Sequence, residues 1–147
     1  YQHNRLAEGE MVMDNCRLDL SEVDVPIFMQ AGETDHIAPH NSVYRTARLF
    51  ASGDNDNVEF MLAGSGHIAG VINHPDKHKY HHSTNKRLPA TLEEWKAGAE
   101  RHPGSWWPYW IEWLNKVSPG KVPARQPGDG GLSIIEDAPG GYVKVKA

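Results

Sequence analysis

A single cysteine, Cys16, stands among the 147 residues, which excludes an internal disulfide and suits a reducing compartment. Long apolar runs are missing as well. None approaches the roughly 20 residues that span a bilayer, so no membrane span is expected. Nor is there a surplus of positive charge. Fifteen Lys and Arg against 19 Asp and Glu leave a net charge of −4, and no electrostatic case for a nucleic-acid partner arises. Internal repeats and low-complexity segments are absent. No signal pattern opens the chain, but it begins at Tyr1 in mid-pattern, as an excised segment would, and export cannot be scored on such a start. Thirty-nine per cent hydrophobic residues suffice for one domain with a modest core.

What is present is one clear β-α-β unit. Residues 25–31, Val-Pro-Ile-Phe-Met-Gln-Ala, are short, apolar and β-rich, as in a strand buried on both faces, with Pro26 in its first positions. A polar loop over 32–36 follows. Asn41 or Ser42 can cap a helix over 42–51, whose apolar face is Val43, Ala47 and Phe50. A polar turn at 52–57 leads to a second strand, 58–63, and then to the glycine-rich loop Gly64-Ser65-Gly66-His67. The crossover makes the two strands parallel, so both polar loops leave the same sheet edge, where open α/β sheets bind ligands. Around this unit the pattern is weaker. Residues 1–24 read as an approach loop with a short strand, and 70–90 as irregular. Thr91 and Glu94 form a capping box for a helix reaching about Arg101. A second helix starts at Ser105 with Pro108 in its first turn and Trp106, Trp110 and Trp113 on one face. Residues 118–131 read as loop, and 142–146 alternate like an edge strand.

Two loop residues carry the chemistry. A Ser-His-Asp type site needs a base to deprotonate the nucleophile and a carboxylate to fix the imidazole tautomer. In α/β-hydrolases the order along the chain is nucleophile, acid, then histidine. Asp35 after the first strand and His67 after the second meet that order, and Gly64 and Gly66 give the histidine loop freedom to turn inward. Taken alone, both could be ordinary loop residues. Asp54 and Asp56 are rival acids but belong to the opposite sheet end. No G-x-S-x-G elbow, or its cysteine form, occurs, so the nucleophile is expected outside this chain. Cys16, in a polar stretch without an elbow, reads as a packing residue. His74, His78 and His82 fall four apart beside His81, a spacing that binds zinc on a helix. Pro75 interrupts it and no Glu or Cys completes a pattern, so these histidines read as solvated or hydrogen-bonded loop. The tryptophan stripe reads first as packing.

Three blocks then resemble a known family. Asp35-His36-Ile37-Ala38-Pro39, Gly64-Ser65-Gly66-His67-Ile68-Ala69-Gly70-Val71-Ile72-Asn73 and His102-Pro103-Gly104-Ser105-Trp106-Trp107-Pro108 are similar to the C-terminal third of polyhydroxyalkanoate synthases. Leu92-Glu93-Glu94-Trp95 and the ending Asp137-Ala138-Pro139-Gly140-Gly141-Tyr142-Val143-Lys144 agree with it, and the Trp-rich block and tail look most like the single-subunit type that prefers short-chain monomers. The resemblance implies that residues 1–147 are the C-terminal portion of one α/β-hydrolase catalytic domain. It implies a Cys-His-Asp triad with Asp35 as acid and His67 as base, the cysteine lying upstream in a G-x-C-x-G box. His36 matches a residue beside the acid with no role assigned. It further implies an acyltransferase that polymerises (R)-3-hydroxyacyl-CoA without metal or organic cofactor, as a homodimer on cytoplasmic polyester granules. Residues 53–57 look like a small insertion, and His74 departs from the family pattern. An ordinary esterase-like α/β-hydrolase shares the acid and base and is the alternative. A non-enzymatic module using the histidine cluster is a third reading.

Overall fold

The computed structural model describes residues 2–51 and 57–146. Of the turn expected at 52–57, residues 52–56, with Asp54 and Asp56, lie outside the described residues.

The expected β-α-β unit is present. Strand β3 (Ile27–Gly32) pairs in parallel with β4 (Val58–Ala63), from Ile27 opposite Val58 to Gly32 opposite Ala63. Helix α1 (His40–Phe50) joins them. It starts earlier than expected, because the Pro39 carbonyl already accepts from the Ser42 and Val43 N–H groups. Asn41 and Ser42 therefore sit inside the first turn, and no side chain caps this end. Tyr44 and Ala47 are its buried residues, with Val43 packed against them.

Alternation along β4 builds two core layers. Phe60 and Leu62 face α1 and α2 (Leu92–Ala97), joining Ala31, Tyr44, Ala47, Leu92 and Trp95. Met61 and Ala63 face α3 (Trp107–Val117), joining Trp106, with Phe28 and Tyr109 packed alongside. Phe60, Met61 and Leu62 are each at most 1% exposed, so each contributes about 1.5–3 kcal/mol by burial. The indole of Trp95 meets Phe60 edge-on at 4.9 Å, the geometry ring quadrupoles favour. The tryptophan stripe packs as expected: Phe28 lies 6.1 Å from Trp106 and 5.5 Å from Trp113, and Trp106 lies 5.8 Å from Trp110. By contrast, β3 is only half-buried over its first four residues, because it ends the sheet order β3-β4-β5-β6.

The sheet continues with two strands that the sequence pattern does not announce. Strand β5 (His81–Thr84) pairs antiparallel to β4, and β6 (Glu100–Pro103) antiparallel to β5, so the sheet is mixed. Thus His81 and His82 are strand residues rather than irregular loop, and His102-Pro103 continues a strand rather than breaking a helix. The capping box on α2 forms as expected, with Thr91 Oγ1 accepting from the Glu94 N–H and Glu94 Oε2 from the Thr91 N–H. The helix stops at Ala97, not Arg101, since Gly98 caps it and the Asn85 amide donates to the Trp95 carbonyl. A hairpin of β1 (Met11–Met13) and β2 (Cys16–Leu18) occupies the approach segment. Its two-residue turn, Asp14-Asn15, has both φ values positive, the pairing that two-residue hairpins prefer. At the other end, Gly141–Lys144 is a 3-10 turn rather than an edge strand. Alternation there meets no partner strand among the described residues.

His82, 7% exposed, stacks on His102 at 5.2 Å, and its Nδ1 lies 3.4 Å from the Gly104 carbonyl. Burial lowers the pKa of this imidazole from 6.5. The unfolded chain then takes up a proton that the folded chain holds less readily. The stability that neutral His82 contributes is therefore present above about pH 6.5 and lost as the pH falls through the lowered folded value. Thermal melts should show stability declining on acidification below about pH 6.5, and His82→Phe should flatten that slope.

Candidate active site

The strand ends β3 and β4 bring the two loops together through the backbone. The Glu33 N–H donates to the Ala63 carbonyl at 2.8 Å and the Thr34 N–H to the Ser65 carbonyl at 3.3 Å. Asp35 and His67 thereby become neighbours, with His67 Nδ1 2.8 Å from Asp35 Oδ2. The other carboxylate oxygen is held by its own loop. Oδ1 accepts from the N–H groups of Ile37 and Ala38, each at 2.9 Å. This division of labour fixes the carboxylate plane and leaves one oxygen for the imidazole.

The Ala38 N–H is the chief cause, with His67 and the Ile37 N–H adding to it, that the Asp35 pKa is lowered from 3.8 to about 2. Asp35 is thus a carboxylate throughout the neutral range. Its side chain is 7% exposed, whereas that of His67 is 46% exposed. The imidazole therefore meets the acid on its inner nitrogen and presents its outer face to the open side of the sheet edge. With Nδ1 engaged by a carboxylate, Nε2 is the atom free to take a proton.

The chain beyond His67 is clamped. The Gly70 N–H donates to the Gly66 carbonyl at 2.8 Å, closing a tight turn. A Cβ at Gly70 would come within 2.6 Å of the Gly66 carbonyl oxygen, so glycine is required for space. Two indoles then hold this turn: Trp106 Nε1 donates to the Gly70 carbonyl at 2.8 Å and Trp107 Nε1 to the Val71 carbonyl at 3.0 Å. The Gly-Ser-Trp-Trp block thus fixes the histidine loop besides packing. Sequence reading missed this, since indole spacing reports a face and not what the N–H groups reach.

Named relatives match the chain over its whole length. Over its full length the chain is 49% identical to a poly(3-hydroxyalkanoate) polymerase of Methylorubrum extorquens, of which it covers 24%. It is 41% identical, again over its full length, to a poly(3-hydroxyalkanoate) polymerase subunit of Cupriavidus necator, covering 25% of that protein. The chain belongs to the poly(3-hydroxyalkanoate) polymerase family. A polymerase subunit of Rhizobium etli is 44% identical over 97% of the chain. The chain spans about a quarter of the length of these polymerases. No family model matches it.

Other sequence candidates stand apart from the dyad. Cys16 is exposed on the β2 hairpin strand, its Sγ 3.6 Å from the Arg17 carbonyl. His36 follows the acid and is exposed. The histidines at 74, 78, 81 and 82 divide among the two caps of a 3-10 turn (Pro75–Lys77) and β5. Among the described residues no three His, Cys, Asp or Glu side chains are grouped to hold a metal ion, and no helix is long and apolar enough to cross a membrane. A cavity of about 970 Å³ lined by His82, Thr84, His102 and Tyr109, among others, includes neither Asp35 nor His67.

Proposed function

We propose that this chain supplies the acid and the base of a Cys-His-Asp triad in an enzyme that polymerises (R)-3-hydroxyacyl-CoA into polyester and releases CoA. The observation that carries the reading is the 2.8 Å contact of His67 with Asp35 at the carboxyl ends of two parallel strands, in a chain so similar to named polymerases. On this reading the fold is the C-terminal part of an α/β-hydrolase domain, and the thiol stands on an elbow in another part of the same protein.

His67 Nε2 takes the thiol proton, and the thiolate attacks the thioester carbonyl. As the tetrahedral adduct collapses, the proton passes to the departing CoA thiolate. A 3-hydroxyl group then attacks the acyl-enzyme, its proton goes to a base of the dyad, and the cysteine is freed as the ester forms. Asp35 stabilises the imidazolium at each stage. Ile37, Ile68 and Ile72, each more than 60% exposed and flanking the dyad in sequence, suit an apolar acyl chain. The reading calls for no metal or organic cofactor and includes a homodimer at the surface of cytoplasmic polyester granules.

A direct test uses this chain purified alone. A base without its thiol cannot form the acyl-enzyme, so no CoA release from 3-hydroxybutyryl-CoA is expected above the no-protein control. Turnover by the isolated chain would overturn the reading.

A further inference from the structure

A second histidine–carboxylate contact lies beside the dyad. His81 Nε2 is 3.1 Å from Glu33 Oε2, and His81 Nδ1 is 2.9 Å from an Arg101 guanidinium nitrogen. A guanidinium only donates, so Nδ1 accepts and Nε2 carries the hydrogen given to Glu33. The ring is therefore neutral with one fixed tautomer, and it is largely shielded, its side chain 16% exposed.

Two neighbours of this ring, Glu33 and Gly64, belong to the dyad loops. Glu33 precedes Asp35 by two residues, and Gly64 precedes His67 by three. The Gly64 N–H donates to the His81 carbonyl at 2.8 Å. A Cβ built on Gly64 would fall 2.1 Å from the His81 ring, so the imidazole lies directly on the glycine backbone. Gly64 has no positive φ; it is needed for this close approach and not for conformational freedom. One side chain on β5 thus bonds to the acid's loop and lies against the base's loop, with Arg101 on β6 holding it from behind.

We propose that His81 is a positioning residue. By bridging Glu33 and Arg101 against Gly64, it holds the loops of Asp35 and His67 at the spacing their contact requires. The inference rests on the reading that Asp35 and His67 carry the chemistry. A misplacement of about 1 Å costs up to 10²-fold in rate, so the effect belongs in kcat.

The test uses the full-length polymerase. His81→Leu should lower kcat about ten- to a hundredfold, leave KM within about twofold and weaken the downfield proton resonance of the His67–Asp35 hydrogen bond. His81→Gln, whose amide can still donate to Glu33 and accept from Arg101, should recover most of kcat. Combining Glu33→Leu with His81→Leu should cost little more than His81→Leu alone, since both break one contact. If His81→Leu does not fold, Arg101→Met at its exposed position carries the test, with a kcat loss of about fivefold expected; no loss there overturns the proposal. The proposal also fails if His67→Ala silences the enzyme while His81→Leu keeps kcat within about twofold. It fails again if Gln is as damaging as Leu and the Glu33 effect is additive, since His81 would then only pack. Normal turnover in His67→Ala would instead remove the site reading, and this proposal with it.

Discussion

Replacing His67 by alanine in the full-length polymerase should lower CoA release from 3-hydroxybutyryl-CoA by roughly 10³–10⁴-fold. The size follows from the base's double use. On the proposed reading it takes the thiol proton before attack and returns it to the leaving CoA thiolate. A cysteine retains some thiolate at neutral pH, so the loss stops short of complete inactivity. The exposed imidazole, 46% open, has little packing to lose, so the fold survives the change. The measurement is steady-state CoA release with a thermal melt beside it. A rate within about tenfold of the unmodified enzyme, with the melt unchanged, would assign the base elsewhere.

Asp35→Asn should cost nearly as much, about 10³-fold in kcat, by a different route. The Asn carbonyl can keep the loop bonds that Oδ1 accepts from Ile37 and Ala38. Its amide nitrogen then faces His67 Nδ1 and donates to it. That inverts the imidazole, placing the hydrogen on Nε2, where the proton acceptor should be. The loop stays in place while the base is of the wrong tautomer. KM should therefore change little, and alkylation of the cysteine should slow in step with kcat. An Asn variant with near-normal kcat would show that the carboxylate only shapes its loop.

Why these two residues were legible, and their supports were not, has a physical basis. Strands β3 and β4 announce themselves because β4 buries both faces and β3 is nearly all apolar, leaving little in the sequence to mistake. The loops at their ends follow from topology alone, which is how Asp35 and His67 could be singled out. Thr91 and Glu94 were legible for a local reason, since a capping box is completed within four residues. Strand β5 offers no such signal. His81-His82-Ser83-Thr84 is polar, and it holds its place through side-chain bonds such as Thr84 Oγ1 to His102 Nε2 at 3.0 Å. Those partners are nearly twenty residues away in sequence, beyond any periodicity. Separations of 48 and 20 residues hid His81 between Glu33 and Arg101, and separations of 36 residues hid the indole contacts of Trp106 and Trp107. The tail erred the other way, because alternation at 142–146 suggests a strand but supplies no partner for it.

The proposed chemistry turns on one proton. Nitrogen-15 spectra of histidine-labelled full-length polymerase, with His67 identified by its loss in His67→Ala, report which ring nitrogen carries hydrogen near neutral pH. The prediction is an Nδ1–H tautomer whose signal shifts when Asp35 becomes Asn, leaving Nε2 bare for the thiol. A ring protonated only on Nε2 in the unmodified enzyme would contradict it.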